Sequence, residues 1–255
     1  MNTKHGPKDA MFRTYKKAKL ISHSIKSKGR FGELKDSLIH DPDYDIYIVA
    51  DGISSDPDSA QGSSVAVQHA AMTLRKKVLD DSGKPIDWVS EAVAAANTAV
   101  YDINLVEDGQ GNPCAGALAR TTIDICLISR GKLFVAHAGD GRIYLLDKEN
   151  NLDLLTEDQV SGGGITCLLG CTEKMSGHKL YEKDLSNYSR ILIATDGIYK
   201  PLNDNKIRSL LAAGTTVEDT LKKIGVAARS SARKSIIGED DLTAILIAYG
   251  GVKSD

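Results

Sequence analysis

Aspartates that stand where apolar runs end are the residues of this sequence best placed to do chemistry. Asp51 and Gly52 follow the run at 45–50. Asp196 and Gly197 follow residues 190–195, and Gly139-Asp140-Gly141 follows residues 133–138. Asp240 and Asp241 introduce the apolar run at 242–249. One Asp-Gly pair reads as a strand-ending turn, with the glycine letting the chain bend sharply. Four acidic strand ends read as one cluster. Like charges repel, so such a cluster needs a cation to hold it. Carboxylate oxygens are hard ligands suited to Mg²⁺ or Mn²⁺. Asp36 opens a short strand ahead of the turn at Pro42-Asp43, and an antiparallel neighbour would set it against Asp51.

The elements that must position these acids follow from periodicity. The β-branched run at 45–50 reads as a strand buried on both faces, and residues 20–25 alternate weakly like a strand. Residues 63–78 and 87–104 carry apolar positions at helical spacing, with Asp87 as the expected N-cap of the second helix. Residues 122–129, 133–138, 142–146 and 152–155 are strands joined by tight turns, hence antiparallel. That pattern counts against a doubly wound nucleotide fold, which needs a helical crossover after each strand, and the glycines at 162–164 open no helix in the dinucleotide manner. Helices are expected at 205–213 and from a capping box at 215–218 to about residue 230, before the last strand at 242–249. The order predicts an α+β fold of two mainly antiparallel sheets sandwiched by helix pairs.

Composition sets bounds. At 255 residues, 42% apolar and 26% charged, the chain matches a globular protein. A net charge of −2 gives no pointer to nucleic acid. No apolar run reaches the length of a membrane span, and the N-terminus lacks a secretory pattern. Cys114, Cys126, Cys167 and Cys171 show no paired zinc spacing and are expected as reduced thiols of a cytoplasmic protein; the closeness of Cys167 and Cys171 is noted. A signal-independent export route stays open. Residues 1–18 form a basic leader, read first as a solvated terminus and otherwise as a contact for an acidic partner or a membrane surface. Residues 19–250 are expected to form one domain, and 251–255 a tail.

Asp51-Gly52, Gly139-Asp140-Gly141-Arg142, Ala194-Thr195-Asp196-Gly197 and Asp240-Asp241-Leu242-Thr243 together resemble, in order and spacing, the metal-dependent serine/threonine protein phosphatases of the 2C type, in particular compact bacterial members. The resemblance spans residues 21–249. It implies a four-layer α-β-β-α sandwich with two Mn²⁺ or Mg²⁺ ions at one end of the sheets. Asp51 would bridge both ions and the Gly52 carbonyl would bind one. Asp196 and Asp240 would hold the first ion, and Asp36 would serve the second through water. Asp140 matches the residue that supports a third, weaker ion in bacterial relatives. Arg30 is the candidate for the phosphate-binding arginine. A hydroxide shared by the ions would attack phosphorus in line, releasing phosphate from phosphoserine or phosphothreonine of a protein substrate. The chain is expected to be a monomer.

Departures from the family pattern sharpen the expectations. Ile53 stands where many relatives have a histidine proposed as general acid. Gly141 replaces a serine, Asp241 an asparagine, and Gln159 a histidine. Between Asp158 and Leu169-Gly170 a flap of a couple of dozen residues is trimmed to a short glycine loop, which predicts an open site with weak peptide selectivity. Two other readings stay beside the phosphatase: a non-catalytic regulatory or scaffold module on the same fold, and a hydrolase of small phosphoesters.

Overall fold

The computed structural model describes residues 20–29, 33–107, 113–116, 118–214, 216–234 and 239–250. In chain order its elements are β1 (Ile21–Ser27), β2 (Ser37–Asp41), β3 (Ile46–Ala50), α1 (Ser59–Asp80), α2 (Pro85–Ile103), β4 (Leu105–Glu107), β5 (Pro113–Ala115), β6 (Ile123–Ser129), β7 (Lys132–Ala138), β8 (Arg142–Asp147), β9 (Leu152–Leu154), β10 (Val160–Ser161), β11 (Gly164–Ile165), β12 (Lys179–Asp184), β13 (Tyr188–Ala194), α3 (Asp196–Tyr199), α4 (Asp204–Ala213), α5 (Val217–Ala232) and β14 (Leu242–Ala248). One five-stranded sheet runs β1-β14-β13-β8-β9 and the other β12-β7-β6-β3-β2. Every pairing in both is antiparallel.

Three apolar layers build the sandwich, and strand alternation produces them. On β3, Ile46, Ile48 and Ala50 pack against Leu74 of α1 and Val93 of α2, while Tyr47 and Val49 point to the other sheet. On β14, Leu246 and Ala244 meet Leu221 and Ile224 of α5, while Ile245 and Ile247 join Tyr47 between the sheets. Both strands are therefore buried throughout, which is why each reads as a continuous apolar run. Truncating a central member such as Ile48 to alanine costs about 2–5 kcal/mol.

The helices start where local chemistry directs, with two differences from expectation: α1 begins at Ser59 rather than at residue 63, and α2 has another cap. Asp87 is not the N-cap of α2: the helix begins at Pro85, with Lys84 as cap and Asp87 inside the first turn. The fixed φ of proline suits the first helical position, and Asp87 still lies favourably against the helix dipole. Asn203 caps α4 by accepting from the Lys206 amide, and Thr216 caps α5 by accepting from the Asp219 amide. Elements not anticipated are the edge strand β12, the short helix α3 and the small hairpins β4–β5 and β10–β11.

The basic leader, the tail and Arg30 lie outside the described residues. Among the described residues no helix is long and apolar enough to cross a membrane.

Candidate active site

Strand register places the acids. Ser37 of β2 pairs with Ala50 of β3, so Asp36 precedes one strand beside Asp51, which follows the other. In the second sheet Ala194 pairs with Ala244, which puts Asp196 past the end of β13 beside Asp240 and Asp241 ahead of β14. Asp140 sits in the turn between β7 and β8, one strand from each sheet. The Thr195 hydroxyl donates to Asp36 Oδ2 at 3.0 Å and so ties the two sheets together at this end.

The Asp-Gly glycines serve a different need from sharp turning. Neither Gly52 nor Gly197 has a positive φ. A Cβ on Gly52 would lie 2.6 Å from the Ser59 carbonyl oxygen and 2.8 Å from that of Lys35. A Cβ on Gly197 would collide with the Asp241 carbonyl oxygen. Glycine is required because another backbone passes over it, and that closeness brings Asp51 to the Asp36 loop and Asp196 to Asp240.

The backbone around Asp51 is held by two threonines. Its amide donates to Thr122 Oγ1 at 3.0 Å, and its carbonyl accepts from the Thr121 hydroxyl at 2.8 Å and the Thr122 amide at 2.9 Å. The turn bearing Asp140 is held from three sides. The Tyr199 hydroxyl donates to the Asp140 carbonyl at 2.8 Å. The Gly139 amide donates to Gln159 Oε1 at 2.9 Å. Arg142, stacked 4.1 Å above the Tyr199 ring, forms a two-pronged pair with Asp158 at 2.9 and 2.8 Å. Gly141 has a physical reason too. A Cβ there would strike Asp124 Oδ2, the carboxylate of a fully buried pair with His137.

Asp241 has a role that its type and position did not reveal. Its two oxygens accept from the amides of Gly29 and Lys35, each at 2.7 Å. These amides flank residues 30–32, so Asp241 clamps both feet of the segment that carries Arg30. Asp36 follows immediately.

The electrostatics are those of crowded acids. Burial pushes Asp51 well above the ordinary carboxylate range, and the charges of Asp36, Asp196 and Asp240 push it further. Burial likewise lifts Asp36, up to about 7. Asp140 and Asp240 are raised by burial and then by the charge of Asp196. Asp196 Oδ1 is buried and has no hydrogen-bond partner among the described residues. A buried carboxylate oxygen without a donor is costly, and a hard cation is the partner that would satisfy it. The donor set, all carboxylate and carbonyl oxygen, fits Mn²⁺ or Mg²⁺. Among the described residues no three such side chains converge as a finished cage.

Comparison with known families assigns the class. The model described as "Protein phosphatase 2C" matches residues 34–233, and the chain belongs to that family. Solved structures share its fold. A bacterial serine phosphatase superposes with a TM-score of 0.78 at 19% identity, over 92% of this chain and 100% of that one. Serine/threonine phosphatase Stp1 from Staphylococcus aureus gives 0.73 at 19%, over 92% and 97%. The catalytic domain of serine/threonine phosphatase PstP, in complex with two manganese ions, gives 0.70 at 21%, over 91% and 99%. No curated protein matches the chain.

Proposed function

We propose that this chain is a Mn²⁺- or Mg²⁺-dependent phosphatase that hydrolyses phosphoserine and phosphothreonine in proteins. The observation that carries the reading is the meeting of Asp36, Asp51, Asp196 and Asp240 at one end of the two sheets, with Asp196 Oδ1 buried and unpartnered. Asp51, Asp196, Asp240, the Gly52 carbonyl and, through water, Asp36 would hold two ions. Such ions, when bound, acidify a shared water and offset charge on the phosphoryl oxygens.

The chain's own residues prepare that centre. Thr121 and Thr122 fix the Asp51 backbone, and Thr195 orients Asp36. Asp241 anchors the segment whose Arg30 would receive the phosphate. A guanidinium suits that role because its planar fork matches phosphoryl oxygens. Water adds to phosphorus, the ester oxygen leaves as the serine or threonine hydroxyl, and inorganic phosphate is released. Ile53 offers no proton to the leaving oxygen, and water is the donor this reading assigns.

Hydrolysis of a small phosphoester is the second reading, favoured by one observation. The segment expected to be a trimmed flap is a hairpin of two-residue strands, β10 and β11, turning at Gly162 and Gly163 with φ of 58° and 83°. So short a hairpin gives a peptide little surface to grip. Phosphate release from phosphothreonine peptides, set against small phosphate monoesters at equal concentration with Mn²⁺, separates the two. A higher kcat/KM on peptides is expected; a higher value on the small esters would move the assignment to them.

A further inference from the structure

The acidic centre already contains one cation of the chain's own. Lys200 caps the C-terminal end of α3, one turn beyond Asp196. Its ammonium lies 2.5 Å from Asp196 Oδ2 and 3.8 Å from Asp140 Oδ2. Those carboxylates belong to different connections, β13–α3 and β7–β8, and their side chains are only 13% and 9% exposed, while Lys200 is 45% exposed. The ammonium therefore enters from solvent and bridges two largely buried carboxylates.

Its position is built in. The Lys200 amide donates to the Asp196 carbonyl at 2.9 Å. The preceding residue, Tyr199, binds the Asp140 carbonyl through its hydroxyl. Gly197, pressed under the Asp241 carbonyl, fixes where α3 begins. Adjacent residues thus hold the Asp140 turn, one by its backbone and one by its carboxylate. Asp196 divides its oxygens: Oδ2 faces Lys200, and Oδ1 is buried with no partner among the described residues.

We propose that the Lys200 ammonium is an internal counter-cation that takes the place of a third divalent ion at Asp140, so that the centre takes up two ions and not three. The inference rests on the two-ion reading above. Asp196 keeps for an ion its Oδ1, which has no partner among the described residues, whereas an ion at Asp140, whose Oδ2 lies 3.8 Å from the ammonium, would meet a like charge a few ångströms away, which disfavours it in a partly desolvated site. The lysine supplies its charge at every metal concentration, because it is tethered.

The test counts ions on the full chain. Mn²⁺ stoichiometry is measured by equilibrium dialysis with elemental analysis and by native mass spectrometry. The wild type, Lys200→Met, Lys200→Arg and the double variant Lys200→Met/Asp140→Asn are compared, each checked for a cooperative thermal melt. The proposal expects two ions in the wild type, three in Lys200→Met, and two again in Lys200→Arg and in the double variant. It also expects Lys200→Met to melt lower than wild type in EDTA, because the acids lose their neutralising charge. Three ions in the wild type, or two in a folded Lys200→Met, overturn it. No bound ion in any form would overturn the two-ion reading itself, a result distinct from the others. If Lys200→Met does not melt cooperatively, Lys200→Gln takes its place with the same two expectations.

Discussion

The Thr195 hydroxyl donates to Asp36 Oδ2 across 3.0 Å, and this side-chain bond helps join the ends of the two sheets where the acids collect. Asp36 is 1% exposed, so its oxygen has no water to replace the lost donor. Thr195→Val keeps the shape and removes the bond. It should cost about 1–3 kcal/mol of stability and weaken Mn²⁺ binding about 10–100-fold, as expected when a residue that orients a ligand is lost. Thermal unfolding and a Mn²⁺ titration check both numbers.

Asp241 should prove a positioning residue for the Arg30 segment. In Asp241→Ala the Gly29 and Lys35 amides lose their acceptors, a loss of about 1.5–3 kcal/mol for each bond to a charged group. Asp241→Asn keeps one carbonyl acceptor and should recover part of it. Steady-state kinetics at saturating Mn²⁺ should show KM for a phosphopeptide rising more in the alanine variant than in the asparagine variant.

The buried His137–Asp124 pair sets a pH dependence of stability. His137 Nδ1 lies 2.7 Å from Asp124 Oδ1 and Nε2 lies 3.1 Å from the Glu157 carbonyl. A carboxylate and a carbonyl both accept, so this pair of partners favours the imidazole that donates from both nitrogens, the charged form. Burial lowers its pKa, but the Asp124 charge and hydrogen bond together with the Glu157 carbonyl outweigh that and hold it above the ordinary histidine value. A raised folded-state pKa gives stability that is complete below the unfolded value and is lost as pH rises through the folded one. The stability gap between wild type and His137→Gln should therefore be widest near pH 6 and narrow toward pH 9, read from denaturant melts.

Metal removal should expose the repulsion among the acids. Burial holds Asp36 up to about 7 and Asp51 above the ordinary range. Their raised folded pKa values mean that the metal-free protein loses stability as pH climbs from the ordinary carboxylate range through about 7. In EDTA the melting temperature should fall between pH 5 and pH 8. Mn²⁺ at 100 times its Kd should restore about 2.7 kcal/mol.

Much of the fold was legible because its strands are extreme. Residues 46–50 and 242–248 are buried on both faces, so their apolar runs left no other assignment. The acids were legible because each stands at the end of such a run. The residues that hold them were not, since Thr121, Thr122, Thr195 and Tyr199 act through contacts made across 40 or more positions of sequence, which periodicity does not encode. Gly52 and Gly197 could be read as turn formers, yet what they accommodate is the close passage of another backbone. Gly141 shows the same limit. Its loss of a side chain makes sense only once Asp124 is seen to occupy the space.

The measurement that bears most directly on the account is phosphate release from a phosphothreonine peptide, with Mn²⁺ and with EDTA, for the wild type and Asp196→Asn. Asp196 is the ligand candidate whose Oδ1 lies buried without a partner among the described residues. The account predicts release that requires Mn²⁺ and is lost in the variant, while the variant still melts cooperatively. Release that persists in EDTA, or a folded Asp196→Asn as active as the wild type, would contradict it.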